Sequence, residues 1–326
     1  MMMVTVLMPI YNAERFLHDS IGSLLAQTSN QWNLICIDDG STDSSKAIVE
    51  EYCKKDSRIK LICQENAGPA VARARAIEIA DTEYVSILDS DDAYAPDYVE
   101  KMLARAEETD ADIVVPDVEY FNAGKIVQPN QFTTFCLSPD MLITDGKQAF
   151  SMTIPWKLHG WMLIRTSLAK KYYTVQQASY SKFNSDEYIT RLLYLKSSKV
   201  ALCSSTYKYR VDSNSITRKP SLKMLDYLES SLRLLDTAIH EDLDNPIIVK
   251  IYNDYYTTYL NLNKKCISNL KGNEQLKAKE IQRFSFEKFN RAFQWSRLHD
   301  STLRTKIKFV FFIFKEKLVF TFNLLQ

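Results

Sequence analysis

Tyr84-Val85-Ser86-Ile87-Leu88-Asp89-Ser90-Asp91-Asp92 decides how this chain is read. Five residues of strand character run directly into three carboxylates. If extended geometry continues through the junction, Asp89 and Asp91 point to the same side. Carboxylates after an apolar strand suit an oxygen-ligated divalent cation, Mg²⁺ or Mn²⁺. An Asp-x-Asp triplet alone is more often an acidic, solvated loop, so the surrounding chain has to decide.

Working outward, Val4 to Met8, Leu34 to Ile37, Ile59 to Cys63 and Ile113 to Val115 also read as strands, and helical patterns fall between them over residues 1 to 116. That alternation predicts parallel βαβ units with helices on both faces, a fold that places ligands at the carboxyl ends of its strands. Those ends read Pro9-Ile10-Tyr11-Asn12, Asp38-Asp39-Gly40-Ser41-Thr42-Asp43, Gln64-Glu65-Asn66-Ala67-Gly68 and Asp89-Ser90-Asp91-Asp92. Each has a structural reading too, since Ser41 or Thr42 before a helix near Asp43 is an ordinary N-cap. A dinucleotide dehydrogenase is disfavoured, because no G-x-G-x-x-G follows the first strand and the chain holds only 7 glycines.

Beyond residue 116 the pattern loosens. A hairpin is expected near Asn122-Ala123-Gly124, a helix over Asp186 to Lys196 and a strand near Lys199 to Cys203; from about Pro220 the chain is helical and rich in Tyr and Leu. The expected organisation is a catalytic domain over 1–219, with a nucleotide-binding half (1–116) and an acceptor half (117–219), then a helical region over 220–326. With 46% hydrophobic residues and a formal charge of +1, the chain has a full core and no whole-molecule field favouring nucleic acid. The six cysteines form no C-x-x-C pair, no charged leader precedes the first strand and no run of 18 apolar residues occurs, so a cytosolic enzyme is the expectation.

In order and spacing, Pro9 to Leu17, Ile37 to Asp43, Asn66-Ala67-Gly68 through Ala72-Arg73, and Leu88 to Asp92 resemble the family 2 glycosyltransferases, built on the nucleotide-sugar-binding GT-A fold. The resemblance covers roughly the first third of the chain. It implies an α/β, Rossmann-like domain with a mixed central sheet and a helical C-terminal appendage. It also implies that Pro9 and Tyr11 line the nucleotide pocket, that Asp39, with Asp38 beside it, binds the base, and that Arg73 approaches the diphosphate. Asp91 is then the principal metal ligand, and Asp89 contacts the sugar or ribose side and is the second candidate metal ligand. A carboxylate can accept from a base N–H, and a guanidinium can pair with phosphate oxygens. The chain departs from the family at Ala72-Arg73-Ala74-Arg75-Ala76, where an Asn and a Gly are missing; Arg75 either assists Arg73 or decorates a helix face.

An inverting transfer needs a general base for the acceptor hydroxyl. The resemblance places it at Asp186 or Glu187, in the reverse order of the family's usual Glu-Asp pair, with Tyr207 to Arg210 and Ser215-Ile216-Thr217 as the downstream match. First-turn acids also simply complement a helix dipole. Trp156, His159 and Trp161 read better as packing residues than as an acceptor wall. The tail from Arg304 to Phe320 mixes lysines with aromatics, and reads either as an interfacial segment beside a lipid-linked acceptor or as a packed terminal element. The functional expectation is an inverting hexosyltransferase using a UDP-linked donor and Mn²⁺ or Mg²⁺ in bacterial surface-polysaccharide or lipooligosaccharide assembly, cytoplasmic or peripheral on the inner membrane face. The alternatives are a non-catalytic nucleotide-sugar or glycan-binding module and a metal-dependent phosphotransfer enzyme.

Overall fold

The first strand is apolar on both faces because both faces are covered. In the computed structural model, which describes residues 2–122, 124–211 and 220–323 and their side chains through 317, β1 (Val4–Ile10) is buried along its whole length. Parallel neighbours flank it, β2 (Trp32–Asp38) on one side and β4 (Tyr84–Ile87) on the other, and β3 (Ile59–Cys63) lies beyond β2. A strand with helices above and below reads as a continuous hydrophobic run. Its one hydroxyl, on Thr5, is satisfied at 2.7 Å by Thr82.

The connecting helices are α1 (Leu17–Leu25), α2 (Ser45–Lys55), α3 (Pro69–Ile79) and α4 (Tyr98–Thr109). The start of α3 is sharply constrained. Gly68 has φ 96°, and a Cβ there would lie 2.8 Å from the Lys182 carbonyl oxygen, so both the backbone and the close approach require glycine. Pro69 follows in the first turn, where its missing N–H costs nothing. Ala72, Ala74 and Ala76 are wholly buried, small enough to let α3 pack closely on β1 and β2.

The remaining strands are β5 (Ala93–Tyr94), β6 (Ile113–Asn122), β7 (Lys125–Gln128), β8 (Leu142–Ile143), β9 (Leu163–Arg165) and β10 (Val200–Arg210). They complete a ten-stranded sheet of order β3-β2-β1-β4-β9-β6-β10-β5, with β7 on β6 and β8 on β10. The sheet is mixed, because β9 runs antiparallel to both β4 and β6. The three residues of β9 are too few to show a period, so the sequence pattern passes from β4 to β6 without it. The hairpin pairs Asn122 with Lys125, Ala123 lying outside the described residues. Shorter helices α5 (Gln131–Phe135), α6 (Gly146–Met152), α7 (Thr166–Tyr172) and α8 (Val175–Ala178) precede α9 (Ser185–Lys196), the helix expected from Asp186.

The chain divides into two compact units, Met1–Ser215 and Ile216–Gln326, and strands from before and after residue 116 share the one sheet of the first. The second unit contains α10 (Asp226–His240), α11 (Asn245–Lys265), α12 (Gly272–Ala292) and α13 (Leu303–Asn323). Its core is aromatic: Tyr255 stacks on Phe289 at 4.2 Å, and Phe312 of α13 sits edge-on to Tyr259 and Phe286. Buried phenols need partners. Tyr255 shares a hydrogen bond with Ser285, and Tyr259 donates to Glu316 at 2.6 Å. Among the described residues no helix is long and apolar enough to cross a membrane.

Candidate active site

The carboxyl ends of the parallel strands β1, β2, β3 and β4 lie along one edge of the sheet, and each contributes a loop. After β1 the chain turns at Asn12, a non-glycine residue at φ 50°. That turn is held from the β2 loop: Asn12 N–H donates to Ser41 Oγ, Ala13 N–H to Ser45 Oγ and Glu14 N–H to Asp43 Oδ2, while Asn12 Oδ1 accepts from Thr42 N–H. The polar run after β2 is therefore a brace for the first loop. The N-cap of α2 is Ser44, which makes no side-chain cap. Pro9 is buried at the end of β1, and Tyr11, just beyond it, is 48% exposed.

The family resemblance points to Asp39, with Asp38 beside it, as the base-binding carboxylate, and the structure shows how the oxygens of each are engaged. Asp39 Oδ1 accepts from Gln64 Nε2 at 2.6 Å and Ala67 N–H at 2.8 Å, and its Oδ2 accepts from Gly68 N–H at 2.9 Å. Three donors thus fix the loop that launches α3. Asp38 is also buried, yet its Oδ1 has no hydrogen-bond partner among the described residues. A buried acceptor without a donor is costly to leave unmade, and a ligand N–H would satisfy it. Arg75 donates to Gln64 Oε1 at 3.0 Å, so it orients the amide that serves Asp39 and lies apart from the contacts of Arg73.

At the end of β4 the carboxylates are again unequal. Asp89 Oδ1 pairs with Arg73 Nη2 at 2.5 Å, and Oδ2 accepts from Trp161 Nε1 at 3.0 Å. Asp92 is buried, accepting from the Tyr207 hydroxyl at 2.8 Å and from Arg210 N–H at 2.7 Å; burial first, then Asp91 and Asp89, push its carboxyl well above the usual range. Asp91 has no side-chain hydrogen bond among the described residues, and its outer face reaches solvent. The protein packed around it, with the charge of Asp89 second, pushes its carboxyl up to about 6.

No group of three or more metal-ligating side chains occurs among the described residues. A single accessible, electrostatically crowded carboxylate fits a Mg²⁺ or Mn²⁺ ion that takes its other ligands from phosphate and water. Asp91 meets that description; both oxygens of Asp89 are already engaged.

Arg73 is the hinge of the site. Buried on α3, it pairs with Asp89 through Nη2 and with Asp186 Oδ2 through Nη1 at 2.7 Å. Burial opposes its charge, and Asp89, Tyr173 and Asp186 outweigh that, holding its pKa well above the ordinary arginine value. The two acids of the α9 first turn diverge. Asp186 faces Arg73 and the β4 loop, with its second oxygen unengaged among the described residues. Glu187 turns to Trp156 Nε1 and Arg191 Nη2, both at 3.2 Å, with Arg191 lying 4.3 Å over the Trp156 ring.

Three contributors escape the sequence pattern as site residues. Trp161 reads as packing, yet its indole N–H holds Asp89 and its ring stacks on Tyr207 at 5.1 Å. Tyr207 and Arg210 have a signal, the downstream run Tyr207 to Arg210, but not an assigned contact. His159 is a packing residue as expected: buried, hydrogen-bonded to the Pro116 carbonyl at 2.9 Å, with burial pushing its pKa down to about 4. The match expected at Ser215-Ile216-Thr217 lies outside the described residues.

Comparison with known proteins places this arrangement. The glycosyl transferase family 2 model matches residues 5–173, which takes in every group above except those on α9 and β10. Glycosyltransferase GlyA of Streptococcus pneumoniae serotype 4 is 30% identical over 227 residues, 66% of this chain and 31% of that protein. The poly(ribitol-phosphate) beta-glucosyltransferase of Bacillus spizizenii is 30% identical over 212 residues, 64% of this chain and 32% of that protein. The chain thus spans about a third of the length of these two relatives. S. aureus TarS 1–349, solved in complex with UDP-GlcNAc, superposes with a TM-score of 0.72 at 19% identity, covering 91% of this chain and 83% of that one, which is a likeness of fold. With the family model spanning more than half of its residues and the shared fold being that of a GT-A enzyme, the chain belongs to glycosyl transferase family 2.

Proposed function

We propose that this chain transfers a sugar, with inversion, from a UDP-linked donor to a hydroxyl of a growing surface glycan. The observation that carries the reading is the bridge from Asp89 through Arg73 to Asp186, which holds a candidate base against the carboxylate loop of a nucleotide-binding fold. In this reading Pro9 and Tyr11 line the nucleotide pocket and Asp38 accepts from the base, while Asp39 keeps the pocket loop in place. Residues 1–116 then bind the donor, 117–219 supply the base and the acceptor wall, and 220–326 form a separate helical region.

The acceptor oxygen attacks the anomeric carbon from the face opposite the diphosphate. The bond from that carbon to the diphosphate oxygen breaks, and its electron pair leaves with UDP. Asp186 receives the acceptor's proton on the oxygen that Arg73 does not hold. Arg73 acts through Asp89 and Asp186, positioning both. A divalent cation on Asp91, when bound, supplies positive charge to the departing diphosphate. A UDP-linked donor is supported by the likeness to TarS, whose solved complexes contain UDP and UDP-GlcNAc. A polymeric, hydroxyl-bearing acceptor is supported by the likeness to the poly(ribitol-phosphate) beta-glucosyltransferase, and a lipid-linked form on the inner membrane face by the basic, aromatic tail.

The test is calorimetric titration of UDP-, GDP- and CMP-sugars into the full chain, with Mn²⁺ and then with excess chelator. Saturable binding of one UDP-sugar that weakens on chelation is expected. An absence of binding across the panel, or binding with equal affinity in chelator, overturns the reading.

A further inference from the structure

The last described helix has two faces of opposite character. At about 100° per residue, Phe309, Phe312, Ile313 and Glu316 fall on one side of α13, and all four are buried. Phe309 lies against Tyr252 and Phe293, Phe312 against Tyr259 and Phe289, and Glu316 accepts the Tyr259 hydroxyl. This face belongs to the core of its unit, so α13 is held as a helix by packing.

The opposite side carries Leu303, Ile307, Val310, Phe311 and Phe314 at the spacing of one helical stripe, and all five are exposed. Phe311 and Phe314 are 69% and 62% exposed, far beyond the burial normal for phenylalanine. By the same periodicity Arg304 and Lys315 flank the stripe on one side and Lys317 on the other, while Lys308 turns inward to Asn253 and the Tyr256 ring and Lys306 donates to the His299 carbonyl. The only acid of residues 303–317 is Glu316, on the buried face.

We infer that this exposed face is a docking surface for an anionic lipid membrane, with α13 lying parallel to the bilayer. An apolar stripe inserts among the acyl chains near the headgroups, and flanking basic side chains reach outward to the phosphates. Charge complementarity selects this occupant. A second copy laid antiparallel along the same stripe would bring basic flank against basic flank, with no acid of residues 303–317 outside the buried face to compensate. The inference deepens the reading of a lipid-linked acceptor by giving the enzyme its own hold on the surface where that acceptor lies. It needs no donor or turnover, so its failure and that of the proposed reaction are read separately.

The experiment is cosedimentation of the full chain with vesicles of phosphatidylglycerol and phosphatidylcholine in equal parts, against phosphatidylcholine alone. Binding to the anionic vesicles that weakens with added salt is expected. Phe311→Ser with Phe314→Ser is expected to lower partitioning by about tenfold or more while leaving the melting temperature unchanged, since neither ring is in the core. Arg304→Glu with Lys315→Glu is expected to remove the preference for anionic vesicles. Absence of binding, or equal binding by wild type and the double phenylalanine variant, overturns the inference. So does a concentration-dependent dimer that the same variant dissolves.

Discussion

The two strand ends that carry paired carboxylates divide their labour in opposite order. After β2 the second acid, Asp39, is consumed by Gln64 and the Ala67 and Gly68 amides, and the first, Asp38, keeps a buried oxygen without a hydrogen-bond partner among the described residues. After β4 the first acid, Asp89, is consumed by Arg73 and Trp161, and Asp91 is the open one. Position within a motif does not determine which acid is left for a ligand. What determines it is where donors arrive from elsewhere in the chain, and those donors lie between 16 and 72 residues away for Asp89. The α9 pair follows the same division, with Glu187 consumed and Asp186 half open.

The largest effect is expected in that third pair. Asp186→Asn keeps a carbonyl oxygen for Arg73 but removes the proton acceptor, so kcat should fall by about a thousandfold while UDP-sugar affinity in calorimetry is retained. Glu187→Gln should instead lower stability, because it weakens the pairing of buried Arg191, with kcat changed less than about tenfold. A thousandfold loss in Glu187→Gln with activity preserved in Asp186→Asn would reverse the assignment.

Next in size is the β4 pair. Asp91→Ala should lower kcat/KM by about a hundredfold to a thousandfold and make donor binding indifferent to Mn²⁺ or chelator. Asp89→Ala should damage the fold, since it leaves the Arg73 guanidinium buried with one carboxylate fewer, a loss on the order of 3 kcal/mol. Urea unfolding beside metal titration separates the two outcomes. Metal dependence that survives Asp91→Ala and vanishes in a folded Asp89→Ala protein would break the comparison at this strand.

How much of this is legible in the sequence depends on the range of the interaction. The parallel strands of the first third are visible because a strand buried on both faces is apolar throughout, and their ends are visible because polar residues cluster there. Helix α9 is visible from its own pattern. Strand β9 is not, since three residues carry no period, and neither is the contact of Trp161 with Asp89, 72 residues apart. Arg73 is visible in sequence only through the family resemblance. Its burial between two acids follows only once α3, β4 and α9 are brought together. The tail shows both aromatic and basic character in sequence, but only the helix separates a core face from an exposed one.

A smaller effect is expected in the β2 pair, and it has opposite signatures at the two acids. Asp38→Asn should raise donor KM by about tenfold, because an amide replaces an acceptor, and leave the melting temperature nearly unchanged. Asp39→Asn should cost about 1–3 kcal/mol of stability, since an amide N–H would then face the donors that the carboxylate now serves. Thermal unfolding with steady-state kinetics on both variants reads this directly. If Asp39→Asn leaves stability intact and raises KM, the base is bound by Asp39, as the motif alone implies.

The smallest effect tests how far the consumed acid depends on its own support. Arg75 holds Gln64 Oε1, which turns Gln64 Nε2 toward Asp39 Oδ1, and Asp39 in turn holds the loop amides before α3. Arg75→Ala removes the outermost link in this chain and leaves the two backbone amides in place. Donor KM should therefore rise only about twofold to fivefold, with kcat unchanged, because Gln64 is loosened and the catalytic bridge through Arg73 is untouched. Gln64→Ala should reproduce that change, and the double variant should add little to either single one, since both act on the same bond. A fall in kcat on replacing Arg75 would tie it to the bridge through Arg73, and the separation of the two strand ends would have to be redrawn.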